Sequence, residues 1–251
     1  MLLQAVALFL LEASAGTSLL LLFFPHRVLG GGFFALHGLC ATVFLGLAMA
    51  AGTPPSALWL SVPALGLLVV YTMLSRVGRQ RAGLPWLAAS GALQLVLLLR
   101  TFGALAPPIA PWMAGSGLLG ALLFGSVLLT MNLGHWYLVS RSLPRSLLFG
   151  AALVYTAAAS ARALYLAAAA LFVPRGAGWE ALTSLDRDLL FFLFRVTWGI
   201  AGPVALSYFV FQTAKMRSNQ AATGLLYVAL IFVLVGELLS AYLTALTRFP
   251  A

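Results

Sequence analysis

One cysteine, one lysine and five acidic residues are all that 251 positions supply of three types most chains use freely. With Cys40 alone, a disulfide, a c-type haem attachment or a cysteine-ligated iron–sulfur cluster within the chain is excluded. Five carboxylates are too few for an acid-rich metal centre. No phosphate-binding glycine loop, HExxH pair or depth-matched Ser-His-Asp set occurs. The chain therefore lacks the groups to break covalent bonds in a substrate by itself. The formal charge of +9 invites a nucleic-acid reading, but the basic residues fall in short loops between apolar runs and form no continuous basic surface.

What fills the chain instead is hydrocarbon. It is 63% hydrophobic and 8% charged, with a mean hydropathy of +1.05, where soluble domains carry about 25% charged residues. The solvent must be lipid. Breaks at proline, glycine and arginine clusters predict eight spanning helices, near residues 2–24, 31–51, 57–75, 85–106, 113–139, 146–173, 189–214 and 221–247. Residues 1–251 form a single integral membrane domain, an all-α polytopic bundle. The Ala13-Ser14-Ala15 stretch has the form of a signal cleavage site, but no basic segment precedes it and Glu12 interrupts it, so a retained first helix is expected. The longest connection, PRGAGWEALTSLDRD, has room for a small surface helix.

Loop charges sort by side. Loops after the odd-numbered spans hold Arg27; Arg76, Arg79 and Arg81; Arg141 and Arg145; and Lys215 and Arg217, with no acid. The loops after spans two, four and six hold Arg175 and Arg187 alongside Glu180, Asp186 and Asp188. The positive-inside rule makes the first set cytoplasmic and both termini extracytoplasmic, in a multi-pass protein of the bacterial cytoplasmic membrane.

Seven ionisable side chains then lie within the spans: Glu12, His37, Arg100, His135, Arg162, Arg195 and Glu237. Charge in hydrocarbon costs several kcal/mol unless paired or hydrated, so each marks a candidate site. At 1.5 Å per residue, Arg100 and Arg195 sit roughly 9–10 Å from the outer ends, and Glu12, Arg162 and Glu237 roughly 15 Å. Five charges on five spans thus share the outer half of the bilayer. Helical spacing adds Tyr155 and Tyr165 to the Arg162 face, Ser240 and Thr244 to the Glu237 face, and Trp198 and Gly199 to Arg195. Such a layer reads either as buried ion pairs that fix packing, or as donors and proton carriers for a bound molecule.

His37 and His135 lie nearer the cytoplasmic side, the latter in TMNLGHWYLV. Two histidines at similar depth on different helices could ligate a b-type haem from opposite sides, serve a quinone or proton, or simply hydrogen-bond at the interface. Small-residue pairs (Gly117 with Gly120, Gly199 with Gly202) suit close packing, and Pro63 and Pro203 suit kinks. No internal sequence repeat is visible, although four plus four is arithmetically open.

Eight spans, external termini and the stretch KMRSNQAATGLLYVALIFVLVGELLSAYL, with its intramembrane Gly236-Glu237 pair, resemble the DmsC/NrfD-type membrane anchors of dimethyl sulfoxide, polysulfide and related reductases. The resemblance covers the topology and about sixty C-terminal residues. It implies a quinone-binding respiratory subunit docked to an extracytoplasmic iron–sulfur partner. Arg100, Tyr155, Arg162, Tyr165, Arg195 and Trp198 would then hold the quinone, and Glu12 and Glu237 would move protons. Haem at His37 and His135, with a cytochrome partner, stays open beside it. So do a small anion transporter, with the arginines as its clamp, and a purely structural subunit.

Overall fold

The structure, a computed structural model, describes residues 1–52, 55–139, 143–144, 146–173 and 187–251. Among these there is no strand, and eight helices are long and apolar enough to cross a membrane. They are α1 (Leu2–Leu21), α2 (Gly31–Gly52), α3 (Leu58–Arg76), α4 (Leu84–Leu105), α5 (Ala110–Val139), α6 (Ser146–Phe172), α7 and α8 (Asn219–Thr247). α7 is composite: Arg187–Val196 is α-helical, Thr197–Ala201 makes a π turn, and Gly202–Lys215 resumes the α-helix. These spans match the eight expected from hydropathy to within a few residues. Most of the connection after α6 lies outside the described residues, and with it the expected surface helix.

The helices pack as two closed rings of four. α1 packs on α2, α2 on α3, α3 on α4, and α4 returns to α1. α5 to α8 repeat the same order, with α8 returning to α5. The rings meet through α1 against α5, flanked by α1 against α8 and by α4 against α5. Exchanging the rings maps each of these contacts onto itself or onto the other. The molecule is therefore two similarly arranged four-helix halves side by side, a repeat invisible in the sequence. α5 is the hub: 72% of its most apolar window is buried against 17% for α7, so α5 is core and α7 faces outward.

Small residues make the join. A Cβ on Gly16 would lie 1.8 Å from the Ala121 carbonyl oxygen, and one on Gly125 would lie 2.4 Å from the Gly16 carbonyl carbon. α1 and α5 thus touch backbone to backbone. Lipid offers no hydrophobic drive for helices to associate, so such close van der Waals approach is a main source of their cohesion.

Polar side chains lock each half internally. In the first, Gln94 of α4 is fully buried; its Oε1 lies 2.7 Å from Ser14 Oγ, and its Nε2 donates to Ser18 and Ser90. Ser14 also reaches the Ala41 carbonyl of α2, and Ser90 donates to the Ala64 carbonyl of α3. All four helices of that half are tied through one amide. The two chain termini lie at one end of the bundle, here the terminal end. Arg27, Arg76, Arg79, Arg81, Lys215 and Arg217 lie in the connections at the opposite, basic end.

Candidate functional site

Four of the five charges expected to share a layer do meet. Glu237 of α8 is held between two guanidinium groups, with Arg162 Nη2 at 3.1 Å from Oε2 and Arg195 Nη2 at 3.1 Å from Oε1. All three side chains are fully buried. Arg162, from α6, also donates to Ser116 of α5 at 2.9 Å, to Ser240 of α8 at 2.7 Å and to the Ala251 main-chain oxygen at 2.9 Å. Ser240 donates to that same oxygen.

Local sequence explains how Arg195 gets there. Pro203 has no N–H, so the α-helical bond that would reach the Gly199 carbonyl cannot form. Arg195 Nη1 donates to that carbonyl at 3.0 Å. The π turn between them lets Gly199 of α7 approach Gly236 of α8: a Cβ on Gly236 would lie 2.3 Å from Gly199 Cα. π turns inside α-helices frequently occur at functional positions. The α3 helix, by contrast, runs unbroken through Pro63.

Glu12 joins from the other half. It lies within electrostatic reach of Glu237, Arg162 and Arg195. Its Oε1 and Glu237 Oε2 both sit 2.8 Å from where a Gly120 Cβ would be, so a side chain there would displace one carboxylate or the other. Glu12 Oε2 and Arg195 Nε are buried without hydrogen-bond partners. With both glutamates ionised the four charges sum to zero. The cluster is locally unsatisfied, and it straddles the seam between the halves.

Beyond Arg248 the chain turns back over this cluster. Arg248 takes a left-handed conformation (φ 60°), and Phe249 and Ala251 are buried. Phe249 N–H is held by Thr247 Oγ1, and Ala251 N–H by Thr244 Oγ1. These terminal residues close the cluster from the terminal end, a contact that no helical pattern could have foretold.

The remaining candidates go elsewhere. Tyr155 donates to the Pro203 carbonyl of α7 at 2.9 Å, and Tyr165 to the Trp112 carbonyl of α5. Each is committed to the backbone of a different neighbour. Trp198 faces outward and stacks on Phe232, with ring centroids 4.8 Å apart. His37 is fully buried, with Nδ1 2.7 Å from the Phe33 carbonyl oxygen and Nε2 3.0 Å from Asn132 Nδ2. His135 is exposed, and its Nδ1 lies 3.2 Å from the Tyr227 hydroxyl of α8. Both nitrogens of His37 are engaged, one by its own helix and one by α5, while His135 of α5 turns to α8.

Arg100 stands apart from the cluster. It lines a cleft of about 540 Å³ at the terminal end, between α1, α3 and α4. Its guanidinium carbon lies 5.5 Å from the centroid of the Trp59 ring. Gln4, Ser56, Thr101 and Arg248 supply the other polar lining, and Leu8, Leu11, Leu60 and Leu97 make the apolar part. Sequence spacing counted Arg100 at the depth of Arg195 but could not show that it sits among α1, α3 and α4, away from α6 and α7. Trp59 and Gln4 were missed because they lie on other helices, which only the ring closure unites, and Arg248 because it reaches the cleft from the turn after α8.

A second cleft of about 480 Å³ lies towards the basic end, lined by Leu20, Phe23, Ser126, Thr130, Gly150 and neighbours from α1, α5 and α6. No group of three or more histidine, cysteine or acidic side chains able to hold a metal occurs among the described residues. No family model, no curated protein and no solved structure matches this chain.

Proposed function

We propose that this chain is the membrane subunit of a quinone-linked electron-transfer complex of the bacterial cytoplasmic membrane. In this reading the terminal end faces outward and a quinone or quinol head group sits in the cleft beside Arg100. The observation that carries it is the cleft itself: an apolar slot with a few donors near one membrane face, suited to a ring with two oxygens on a hydrocarbon tail. Arg100 and Gln4 donate to the ring oxygens, Trp59 lies beside the ring, and the leucines receive the tail. Leu8 and Leu11 line the cleft on the helix that carries Glu12, which makes Glu12 the nearest buried carboxylate on that helix to take a proton. Arg162, Tyr155 and Tyr165 are assigned to the scaffold in this reading, because their donors are already bound. The partner is an extracytoplasmic iron–sulfur or cytochrome subunit, since this chain has no cysteine set for a cluster of its own.

The test is a tryptophan-fluorescence titration of the purified chain in lipid nanodiscs with a short-tailed quinone. Saturable quenching that is lost in both Trp59→Phe and Arg100→Leu supports the reading. Quenching that only rises with membrane partitioning, in wild type and variants alike, sinks it.

One observation favours a second reading. Two similar halves with a buried charge cluster on their seam resemble the construction of transporters built from parallel repeats. Uptake of small anions into liposomes by the chain alone would favour it over the first.

A further inference from the structure

We infer that the cleft at the terminal end selects a negatively charged head group, so that the quinol it retains is the deprotonated anion. The inference rests on the quinone reading above and names the form of ligand that site takes. Arg100 and Arg248 line the same cleft, from α4 and from the turn after α8, and no carboxylate lines it. The carboxylates of α1 and α8 are not free to neutralise them: Glu237 is taken by Arg162 and Arg195, and Glu12 lies in the same buried cluster. Among the described residues the ion pairs are those of Glu237, and Arg100 has the Trp59 ring face as its cation-binding contact.

A neutral quinone needs donors, and the Gln4 amide and Ser56 hydroxyl that line the cleft would suffice for that. Two arginines facing a mostly apolar slot go further. Beside low-dielectric walls a cation attracts an anion far more strongly than in water, and arginine suits a flat oxygen-bearing ring because its donors lie in one plane. In the bound quinol one O–H bond breaks heterolytically. The electron pair stays on the ring oxygen next to the guanidinium groups, and the proton leaves to water at the terminal end. No electron moves in this step. It prepares an anion that yields an electron to a partner more readily than the neutral quinol would.

The experiment compares two ring systems on the full chain in phosphatidylcholine nanodiscs, read by tryptophan fluorescence: lawsone, a hydroxynaphthoquinone that is anionic at neutral pH, and menadione, which is neutral. Lawsone should bind at least about tenfold tighter at low salt, in line with one well-placed charge interaction. Added salt should weaken lawsone alone. The preference should shrink in Arg100→Gln, survive in Arg100→Lys, and vanish in the Arg100→Gln/Arg248→Gln double variant at an unchanged melting temperature. Saturable binding of both compounds with equal affinity overturns the charge selection and leaves the quinone reading standing. Failure of both to saturate overturns the two together. Loss of lawsone binding in nanodiscs enriched in phosphatidylglycerol assigns the arginines to a lipid phosphate and overturns the inference.

Discussion

Replacing Glu237 by glutamine should cost the fold far more than the same change at Glu12, although both carboxylates are buried in one cluster. Glu237 accepts from Arg162 through both oxygens and from Arg195 through Oε1. A glutamine keeps the shape but turns an amide N–H₂ towards a guanidinium and leaves two buried cations with Glu12 as the one acidic side chain beside them. Removing one partner of a buried ion pair costs about 3–5 kcal/mol. For a chain of this length each kcal/mol is about 2–4 °C of melting temperature, so Glu237→Gln should melt about 10 °C lower. Glu12 has one oxygen with no hydrogen-bond partner, and its attraction to the arginines is offset by repulsion from Glu237. Its glutamine variant should stay within about 1 kcal/mol of wild type, as for a group with little net pairing. The double variant should not accumulate as a folded species, because nothing then neutralises Arg162 and Arg195. Thermal melting of detergent-solubilised protein, followed by helical circular dichroism, reads all three. If Glu12→Gln falls as far as Glu237→Gln, or if Glu237→Gln stays within about 1 kcal/mol of wild type, the charge assignment within the cluster is wrong.

Four further outcomes follow from the geometry. Gly16→Leu must drive a side chain into the Ala121 backbone and should separate the halves, a loss of several kcal/mol visible as proteolysis within α1 or α5. Gln94→Leu removes the amide that links Ser14, Ser18 and Ser90 and should lower stability by about 2–3 kcal/mol, whereas Gln80→Leu, at the surface loop, should be milder; equal losses would deny Gln94 its place as the tie. His26, in the loop after α1, is stacked on Phe34 and held below its ordinary value by burial, with Arg81 pushing the same way. Its neutral form is the folded form, so its contribution is present above about pH 6.5 and is lost as pH falls below that. The decline in melting temperature from pH 7 to pH 5 should flatten in His26→Phe. Finally, in a Cys40→Ala background, Arg79→Cys should react with an impermeant maleimide only from the cytoplasm and Ser56→Cys only from outside; the reverse pattern inverts the positive-inside assignment.

The sequence carried the helices and the membership of the cluster, and it failed at neighbourhood. Hydropathy and loop arginines suffice for eight spans because the bilayer forces every backbone group into a helix. Depth counting brought Glu12, Arg162, Arg195 and Glu237 together because charges in hydrocarbon must find one another or water. Depth is one coordinate of three, however. Arg100 has the same depth as Arg195 and yet belongs to the other ring, where it faces Trp59 rather than Glu237. Depth alone likewise does not show that His37 meets Asn132 of α5 and His135 meets Tyr227 of α8.

The strongest tie in the first half, Gln94, went unweighted because an uncharged amide raises no alarm in a hydropathy reading. The four-plus-four arrangement was hidden for a related reason. Its two halves share helix order and packing but not polar chemistry: one is centred on an amide network and the other on an ion cluster, with Glu12 of α1 set against Gly120 of α5. A repeat preserved in backbone contacts and lost in side chains leaves glycines such as Gly16 and Gly125 as its trace. Those are the residues that lipid-embedded interfaces need small, so they look ordinary until the two helices are seen in contact. That asymmetry also separates roles within the molecule. The charged seam is already saturated apart from Glu12 Oε2 and Arg195 Nε. In the reading proposed above, chemistry with an outside molecule therefore falls to the cleft, whose own lining holds no carboxylate to quench its arginines because Glu12 of the same half is turned to the seam.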